Sequence, residues 1–332
     1  MEGVGVTEDR GPEISVVVPS HNRPLRLRWL LNALEGQTLA RERWEVCIAD
    51  DSSGDESERL LRTHPLAADG TLRYVRLPPA KRGSAGKLRN AAWRLARASV
   101  IAFTDDDCYP PAQWLEQALE SAGRNPGRII QGYTMPDQEE KMAEGKGPWP
   151  HSQHIKPPEP YAQTCNIIYP REALERVDGF LEHPPLDAGE DTDLCLRARK
   201  AGYEYIGDWG VVTWHAVDSA PLWRRMRTLW RWGDLALLVK RHPEFRQNFP
   251  LWVFWKRTHV WLPFALLGLA RRRNPLYLGL LLPWIAHSMP HHGTDVRGRM
   301  REFSELPGRM AIDVTEFAAL VWGSIKHRSF LI

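Results

Sequence analysis

Short apolar runs alternate with longer amphipathic stretches through the first half of the chain. Four of the runs are predicted strands, and the first is a continuous β-branched run of the kind that is buried on both faces of a parallel sheet. They are Ile14–Val18, Trp44–Ala49, Leu72–Leu77 and Val100–Phe103. The clearest amphipathic stretch ends near Gly36, and its apolar stripe consists of Leu27, Leu30, Leu31 and Leu34. This alternation predicts a doubly wound α/β sheet, in which ligands bind beyond the carboxyl ends of the strands.

Two further helices are predicted from the same kind of spacing. The first is expected to start at Pro110 and Pro111 and to stop at Gly123. Its inward side consists of Trp114, Leu115, Ala118 and Leu119. The second begins near Glu190 and is terminated by Gly202, and a strand that ends at His215 follows it.

Aspartates follow two of the predicted strands at the point where each strand ends. Asp50 and Asp51 come after the second run, and Asp105, Asp106 and Asp107 come after the fourth. We expect all five carboxylates in one crevice, with Asp105 and Asp107 on one side of an extended chain and Asp106 on the other. Paired oxygens suit a hard cation such as Mg²⁺ or Mn²⁺, which in turn binds a diphosphate. The alternative is that these aspartates only form turns or cap helices.

Five segments, taken in order, resemble the motifs of family 2 glycosyltransferases. They are ISVVVPSHNR, EVCIADDSSGD, IAFTDDDCYPPAQWL, GEDTDLCLRARKAGY and VVTWH, between Ile14 and His215. The resemblance implies a GT-A fold, the mixed sheet of nucleotide-diphospho-sugar transferases. It also implies transfer of a sugar from a nucleotide-diphosphate donor to an acceptor hydroxyl, with inversion at the anomeric carbon and help from Mn²⁺ or Mg²⁺.

The resemblance assigns donor-side roles to individual residues. Pro19 would line the nucleotide pocket, and Asp51 would bind the base with Asp50 beside it. Asp105 would touch the ribose and Asp107 the metal, with Asp106 between them in the substrate site. Lys87 or Arg89 would reach the phosphates of the donor, although both are equally interpreted as ordinary exposed basic residues at the start of a helix.

The resemblance also supplies a candidate base and a second metal ligand. Asp191 would take the proton of the acceptor hydroxyl, and Glu190 would bind or orient the acceptor. Their position at a helix N-terminus gives an alternative, because carboxylates there stabilise the helix without any catalytic role. In some relatives a histidine in the position of His215 completes the metal site, and imidazole favours Mn²⁺ over Mg²⁺.

Composition limits which cellular compartment and which classes of binding partner we expect. The net charge of +3 is too close to balance to indicate nucleic-acid binding, and no nucleic-acid module is recognisable. The four cysteines include no CxxC pair, which argues against a zinc knuckle or a disulfide framework and favours a reducing cytoplasm. Residues 1–13 are polar and acidic, so we expect a disordered N-terminus and no signal peptide.

The last third of the chain changes character after residue 218. We therefore place a catalytic domain at 14–218 and a separate helical region at 219–332. Arginine and tryptophan alternate after Pro221, and two apolar segments, each too short to span a bilayer, flank Arg271–Arg273. We expect this region to lie at the inner surface of the cell membrane. The alternatives are a helical subdomain packed on protein and an oligomer interface.

These expectations together predict a metal-dependent glycosyltransferase that acts on a saccharide or lipid-linked acceptor in cell-envelope glycan or glycolipid synthesis. A nucleotidyltransferase would share the fold, but it needs a glycine-rich basic loop where this chain has PSHNRP. A phosphatase would need its aspartate near the first strand. A catalytically silent scaffold on the membrane is the remaining alternative. Residues 133–160 are rich in proline, glycine and charge, and we expect them to form either a mobile lid or a disordered insertion.

Overall fold

A computed structural model describes residues 11–79, 84–144, 150–289 and 296–332. These residues form two compact units, 11–144 with 151–218, and 150 with 219–332. We expected residues 1–13 to be disordered. Of these, residues 1–10 lie outside the described part of the chain. The middle of the 133–160 segment, residues 145–149, also lies outside it.

An eight-stranded mixed sheet is the centre of the first unit, in the order β3-β2-β1-β4-β8-β6-β9-β5. Its strands are β1 (Ile14–Ser20), β2 (Trp44–Asp50), β3 (Leu72–Arg76), β4 (Val100–Thr104), β5 (Cys108–Tyr109), β6 (Ile129–Pro136), β8 (Asn166–Pro170) and β9 (Tyr205–His215). Two short strands, β7 (Pro150–His151) and β10 (Asp218–Ser219), lie outside this sheet. The prediction of an α/β fold built on a doubly wound mixed sheet is confirmed.

Strand direction brings the acidic clusters to the same edge of the sheet. β1 pairs in parallel with both β2 and β4, and β2 pairs in parallel with β3. Ile14 lies opposite both Trp44 and Val100, so the three strands start level with one another. Their carboxyl ends therefore lie at the same edge, and the segments that follow Asp50 and Thr104 leave the sheet on either side of β1. β8 runs antiparallel to β4 and closes this parallel half of the sheet.

Helices cover both faces of the sheet. They are α1 (Pro24–Glu35), α2 (Glu56–Thr63), α3 (Pro65–Ala68), α4 (Ser84–Leu95), α5 (Trp114–Arg124), α6 (Gln138–Glu144), α7 (Arg171–Arg176) and α8 (Glu190–Lys200). Alternate residues of one strand serve opposite cores: Val16 and Val18 pack on the side of α1 and α5, and Val17 packs on the side of α4 and α8. Burial on both faces explains the run of three valines in β1.

The helix after β5 begins later than the sequence suggested. Pro111 belongs to a preceding turn, in which the backbone N–H of Trp114 donates to the Pro111 carbonyl at 3.0 Å. α5 therefore starts at Trp114, and Gly123 lies inside its last turn instead of terminating it. The inward positions Trp114, Leu115 and Ala118 are buried as predicted, because the register of the apolar stripe does not depend on where the helix begins.

Gly132 marks the place where three strands approach one another most closely. A Cβ at this position would lie 2.3 Å from Asn166 Nδ2 and 2.4 Å from the Val211 carbonyl oxygen. The β6–β9 register shifts directly after it, between Gly132 and Tyr133. Only glycine leaves room for the backbone and amide groups that cross here.

The second unit is helical. Its helices are α9 (Leu222–Leu229), α10 (Leu235–Arg241), α11 (Arg257–Ala270), α12 (Leu282–Ser288) and α13 (Val296–His327), with short 3₁₀ turns between them. Leu262, Ala265 and Trp284 form a buried cluster that joins α11 to α12, and Met310 and Phe317 of α13 pack against it. Among the described residues, no helix is both long enough and apolar enough to cross a bilayer.

Candidate active site

Both aspartates of the first pair are buried, and their carboxylates have different partners. Asp50 is fully buried, and it accepts hydrogen bonds from Ser20 Oγ at 2.8 Å and Ser52 Oγ at 2.6 Å and an ion pair from Arg76. Through the Asp50 carboxylate these contacts join the end of β1, the segment after β2 and the end of β3. Its neighbour Asp51 contacts the imidazole Nδ1 of His21 at 2.7 Å.

The segment after β1 contacts the segment after β2. Pro19 is half-buried, and His21 and Asn22 behind it are exposed. Asn22 has a positive φ of 52°, and its side-chain oxygen accepts from the backbone N–H of Ser53 at 2.9 Å. This cross-loop bond holds the turn after β1 against the turn after β2, as the parallel register of the two strands permits.

The three consecutive aspartates form a turn, and the prediction that Asp105 and Asp107 share one side is wrong. The backbone N–H of Cys108 donates to the Asp105 carbonyl at 3.1 Å, so the chain bends and the alternation of an extended strand is lost. Asp106 and Asp107 consequently reach the same cation, Arg23, at 3.3 Å and 2.5 Å. Asp105 turns instead to Arg89.

Arg23 is the counter-ion of the acidic turn. Burial would lower its pKa, but the charges of Asp107 and Asp106 outweigh burial and raise it, so the guanidinium stays charged. Asp106 is almost completely buried, and burial together with the charge of Asp107 raises its pKa to about 7, against the opposing effect of Arg23. One arginine therefore makes part of the acidic cluster tolerable without any added ion.

Arg89 is the second cation, and it connects the acidic turn to the start of α8. Its guanidinium donates to Asp105 at 2.8 Å and to both Glu190 and Asp191 at 3.3 Å. The side chain is buried, and its guanidinium carbon lies 5.7 Å from the ring centroid of Phe180. Three carboxylates converge on one fixed charge, which gives the site a rigid centre.

Asp191 is held in a specific orientation by Thr164. The Thr164 backbone N–H donates to one carboxylate oxygen at 3.1 Å, and its hydroxyl donates to the other at 3.0 Å. Burial raises the pKa of Asp191 to about 7; Arg89 lowers it, and Glu190 and Asp105 raise it. A carboxylate with such a pKa is a competent general base near neutral pH.

Asp107 and His215 form the best-suited cation site of the described residues in the first unit. Asp107 Oδ1 lies 3.4 Å from His215 Nε2, and Cys108 Sγ belongs to the same cluster. His215 Nδ1 lies 2.8 Å from the Ala216 carbonyl oxygen, which can only accept, and this contact suits the tautomer in which Nε2 is available to a cation. Burial raises the pKa of the Cys108 thiol well above its usual range, which leaves the carboxylate and the imidazole as donors. This pair fits Mn²⁺ or Mg²⁺, whose other positions oxygen ligands would fill.

The remaining predicted residues have contrasting environments. Lys87 is exposed on α4, two residues from buried Arg89. Glu190 and Asp191 open α8 directly after Gly189, whose φ is 85°. Arg23 and His21 were not identified from the sequence. The motif HNR contains both, but nothing in its spacing indicates that either side chain folds back onto an aspartate.

The model of glycosyl transferase family 2 matches residues 15–178. Glycosyltransferase AglE of Haloferax volcanii is 26% identical over 209 residues, which cover 61% of this chain and 67% of the relative. Validoxylamine A glucosyltransferase of Streptomyces hygroscopicus subsp. jinggangensis is 27% identical over 242 residues, which cover 61% of this chain and 56% of the relative. The chain thus spans little more than half of the second relative's length.

A solved structure supports the fold over nearly the whole chain. Mannosyltransferase PcManGT from Pyrobaculum calidifontis, in complex with GDP-Man and Mn²⁺, superimposes with a TM-score of 0.54 at 20% identity. The alignment covers 96% of this chain and 87% of that one. Through residues 15–178 this chain belongs to glycosyl transferase family 2, and its first unit has the GT-A fold.

Proposed function

We propose that this chain is an inverting glycosyltransferase that moves a sugar from a nucleotide-diphosphate sugar to an acceptor hydroxyl. One observation supports the proposal independently of the family assignment. The buried Arg89 contacts Asp105, on the donor side, and Asp191, the candidate base, so the two halves of a transfer site are joined by one side chain. A silent scaffold has no need of a carboxylate with a raised pKa beside this cation.

Asp191 acts as the general base in the proposed reaction. The acceptor oxygen attacks the anomeric carbon and forms the new C–O bond, while its proton passes to an Asp191 carboxylate oxygen. The bond between the anomeric carbon and the diphosphate oxygen breaks, and its electron pair leaves with the diphosphate. Attack from the face opposite the leaving group inverts the anomeric centre, which is why one base suffices.

Negative charge develops on the leaving diphosphate, and the acidic turn can supply its counter-charge. Asp107 and His215 would hold a divalent cation, which neutralises this charge when it is bound. Arg23 lies beside the same carboxylate and is half-exposed, so its guanidinium is placed to turn from Asp107 toward a phosphate. The relative PcManGT was solved with Mn²⁺ and GDP-Man, which supports a metal-bound donor of the same class here.

The acceptor and the compartment are also part of the proposal. All four cysteines are buried and free, as suits a protein of a reducing cytoplasm. We assign the acceptor to the saccharide or lipid-linked intermediates of cell-envelope glycan or glycolipid synthesis. The exposed apolar and basic surface of the second unit supports this choice, because it suits an enzyme whose substrate is held at a membrane.

A screen of nucleotide sugars tests the proposed function. Each candidate donor is added with and without Mn²⁺, and both thermal stabilisation and slow hydrolysis of the donor are measured. At least one donor should stabilise the wild type in a metal-dependent manner, and the Asp107→Ala variant should lose this response and the hydrolysis. A wild type that binds no nucleotide sugar under any metal condition would refute the proposal.

A further inference from the structure

Residues 257–289 form a helical hairpin whose outer surface is apolar. α11 leads out to Arg271–Arg273, and the chain returns through a 3₁₀ turn at Pro275–Leu281 into α12. The side chains from 271 to 279 are all exposed, although several of them are apolar. Leu276 is 84% exposed, Leu282 65% and Phe264 49%. Apolar surface of this extent around one turn is unusual for a protein that meets only water.

The inner surface of the same hairpin is firmly packed, so the outer exposure is not a sign of a loose segment. Trp284 is buried, and its indole N–H donates to Asp313 of α13 at 2.9 Å. Gly268 permits the two arms to touch: a Cβ there would lie 2.6 Å from the Tyr277 carbonyl oxygen. The hairpin is therefore a preformed element that projects one apolar side outward.

Charge along the hairpin is entirely of one sign. Residues 257–289 contain four arginines and no aspartate or glutamate. Three of the arginines, Arg271–Arg273, stand together where the chain turns, and within the described residues none of them forms an ion pair. Unpaired cations beside exposed leucines complement a surface that offers acyl chains and negative headgroups together.

The dimensions favour insertion into one leaflet over passage through a bilayer. α11 has 14 residues, which corresponds to about 21 Å of helix, against the roughly 30 Å of a hydrocarbon core. Pro263 lies within α11, and the arginines at the turn would be costly at the centre of a bilayer. A segment of this kind lies in the headgroup region with its apolar side a few ångströms deeper.

We propose that the hairpin 257–289 is a membrane-docking element that inserts its apolar side into the interface of an anionic bilayer, with Arg271–Arg273 on the lipid headgroups. The occupant is a lipid surface, since the unbroken positive charge of the hairpin gives a second copy of the same element nothing to pair with. This inference concerns where the proposed transferase works, and it does not depend on the sugar chemistry.

Co-sedimentation of the full-length chain with lipid vesicles tests the proposal. Vesicles of phosphatidylcholine mixed with phosphatidylglycerol should bind the wild type, and vesicles of phosphatidylcholine alone should bind it much more weakly. The triple variant Arg271→Gln, Arg272→Gln, Arg273→Gln should lose roughly a hundredfold in affinity for the mixed vesicles, since each basic residue near an anionic surface contributes about fivefold. High salt should have a similar effect on the wild type.

A second variant tests the apolar side separately. Leu276→Glu with Leu282→Glu should weaken vesicle binding about tenfold or more and leave the circular dichroism spectrum unchanged, because both side chains are exposed. Leu25→Glu, at a leucine that is 55% exposed on α1, is the matched control and should bind vesicles as the wild type does.

Two outcomes would overturn the proposal. One is a wild type that binds neither kind of vesicle. The other is a dimer in solution that the Leu276→Glu, Leu282→Glu variant dissociates while vesicle binding is absent, which would make the hairpin an interface between copies. Donor hydrolysis measured without vesicles reports on the transferase proposal alone, so the failure of one proposal is distinguishable from the failure of the other.

Discussion

Arg89 and Asp191 lie 3.3 Å apart, and the same guanidinium holds Asp105 at 2.8 Å. The proposed base is thus positioned by a cation that also positions the donor-side carboxylate. Since a neighbouring positive charge favours the ionised form of a carboxyl group, Arg89 keeps the pKa of Asp191 lower than burial alone would set it. In the proposed site, the acidity of the base and the position of Asp105 are therefore coupled through Arg89.

Replacement of Arg89 should therefore change the pH profile of the enzyme and not only its rate. Arg89→Lys retains a charge but cannot reach three carboxylates in one plane, so we expect the acidic limb of kcat/KM to move upward by about one pH unit. The measurement is the pH dependence of kcat/KM at saturating metal. Arg94→Lys, at an exposed arginine of the same helix, is the control. An unchanged profile with a reduced rate would show that Arg89 only supports the fold.

The wild type should itself lose activity below neutral pH. The proposed reaction needs Asp191 in its ionised form, and burial raises the pKa of this residue to about 7. Activity should accordingly fall as the pH falls through this value, by about tenfold for each further unit, and level off above it. A profile of kcat/KM between pH 5 and 9 checks this. A rate that stays constant down to pH 5 would contradict the proposed role of Asp191 as a base with a raised pKa.

Arg23 and a divalent cation should compete for the same carboxylate. Arg23 lies 2.5 Å from Asp107 Oδ2, while Asp107 Oδ1 faces His215 Nε2. Removal of the guanidinium in Arg23→Ala leaves the negative charge unpaired, so Mn²⁺ should bind about tenfold more tightly. Calorimetric titration of Mn²⁺ without donor measures this effect.

The control for that titration is Arg26→Ala, because Arg26 pairs with Glu140 and not with the acidic turn. Donor affinity supplies a second readout. If Arg23 also reaches the diphosphate, the Arg23→Ala variant should bind metal more tightly and the nucleotide sugar more weakly. Weaker Mn²⁺ binding in this variant would contradict the placement of the cation beside Asp107.

Gly132 should be among the least replaceable glycines of the first unit. An alanine methyl there would lie within 2.4 Å of a backbone carbonyl and an amide, and neither can move without breaking the sheet. We expect Gly132→Ala to reduce the free energy of unfolding by about 2 kcal/mol or more. Chemical denaturation measures the change.

Gly123 is the comparison, because replacing it with alanine should increase the free energy of unfolding. It lies inside α5, and an added methyl group there would meet no described residue of a neighbouring element within 4 Å. Gly123→Ala should therefore raise stability by about 0.5 to 1 kcal/mol through helix propensity. If both variants were equally stable, the close approach at Gly132 would not constrain the sheet.

The sequence was sufficient for the elements whose signal is local. The runs that begin at Ile14, Trp44 and Val100 are strands, and the leucine stripe of α1 is buried as predicted. The spacing of apolar residues indicates which face of an element is buried. These elements are buried on the faces that their patterns indicate. The boundary of α5 was missed because a turn that contains proline looks the same in the sequence as a first helical turn.

The site was only partly predictable, because its counter-ions come from distant parts of the chain. The acidic residues could be located from the ends of the strands, but Arg23 and Arg89 reach them over 84 and 16 residues of sequence. The sequence therefore indicated a divalent cation opposite the aspartates without indicating that two arginines already stand there. The bend at Asp105 was missed for a related reason, since strand alternation ends where a turn begins.

The most direct test of the account is the Asp191→Asn variant, measured for both donor binding and sugar transfer. The substitution preserves the shape of the side chain. It removes the negative charge and one of the two acceptor oxygens, and with them the capacity to take a proton. We expect the donor to bind within about twofold of the wild type, since Asp105 and Asp107 are untouched, and transfer to fall by about 10² to 10⁴. Transfer near the wild-type rate would contradict the account, because the base would then lie elsewhere.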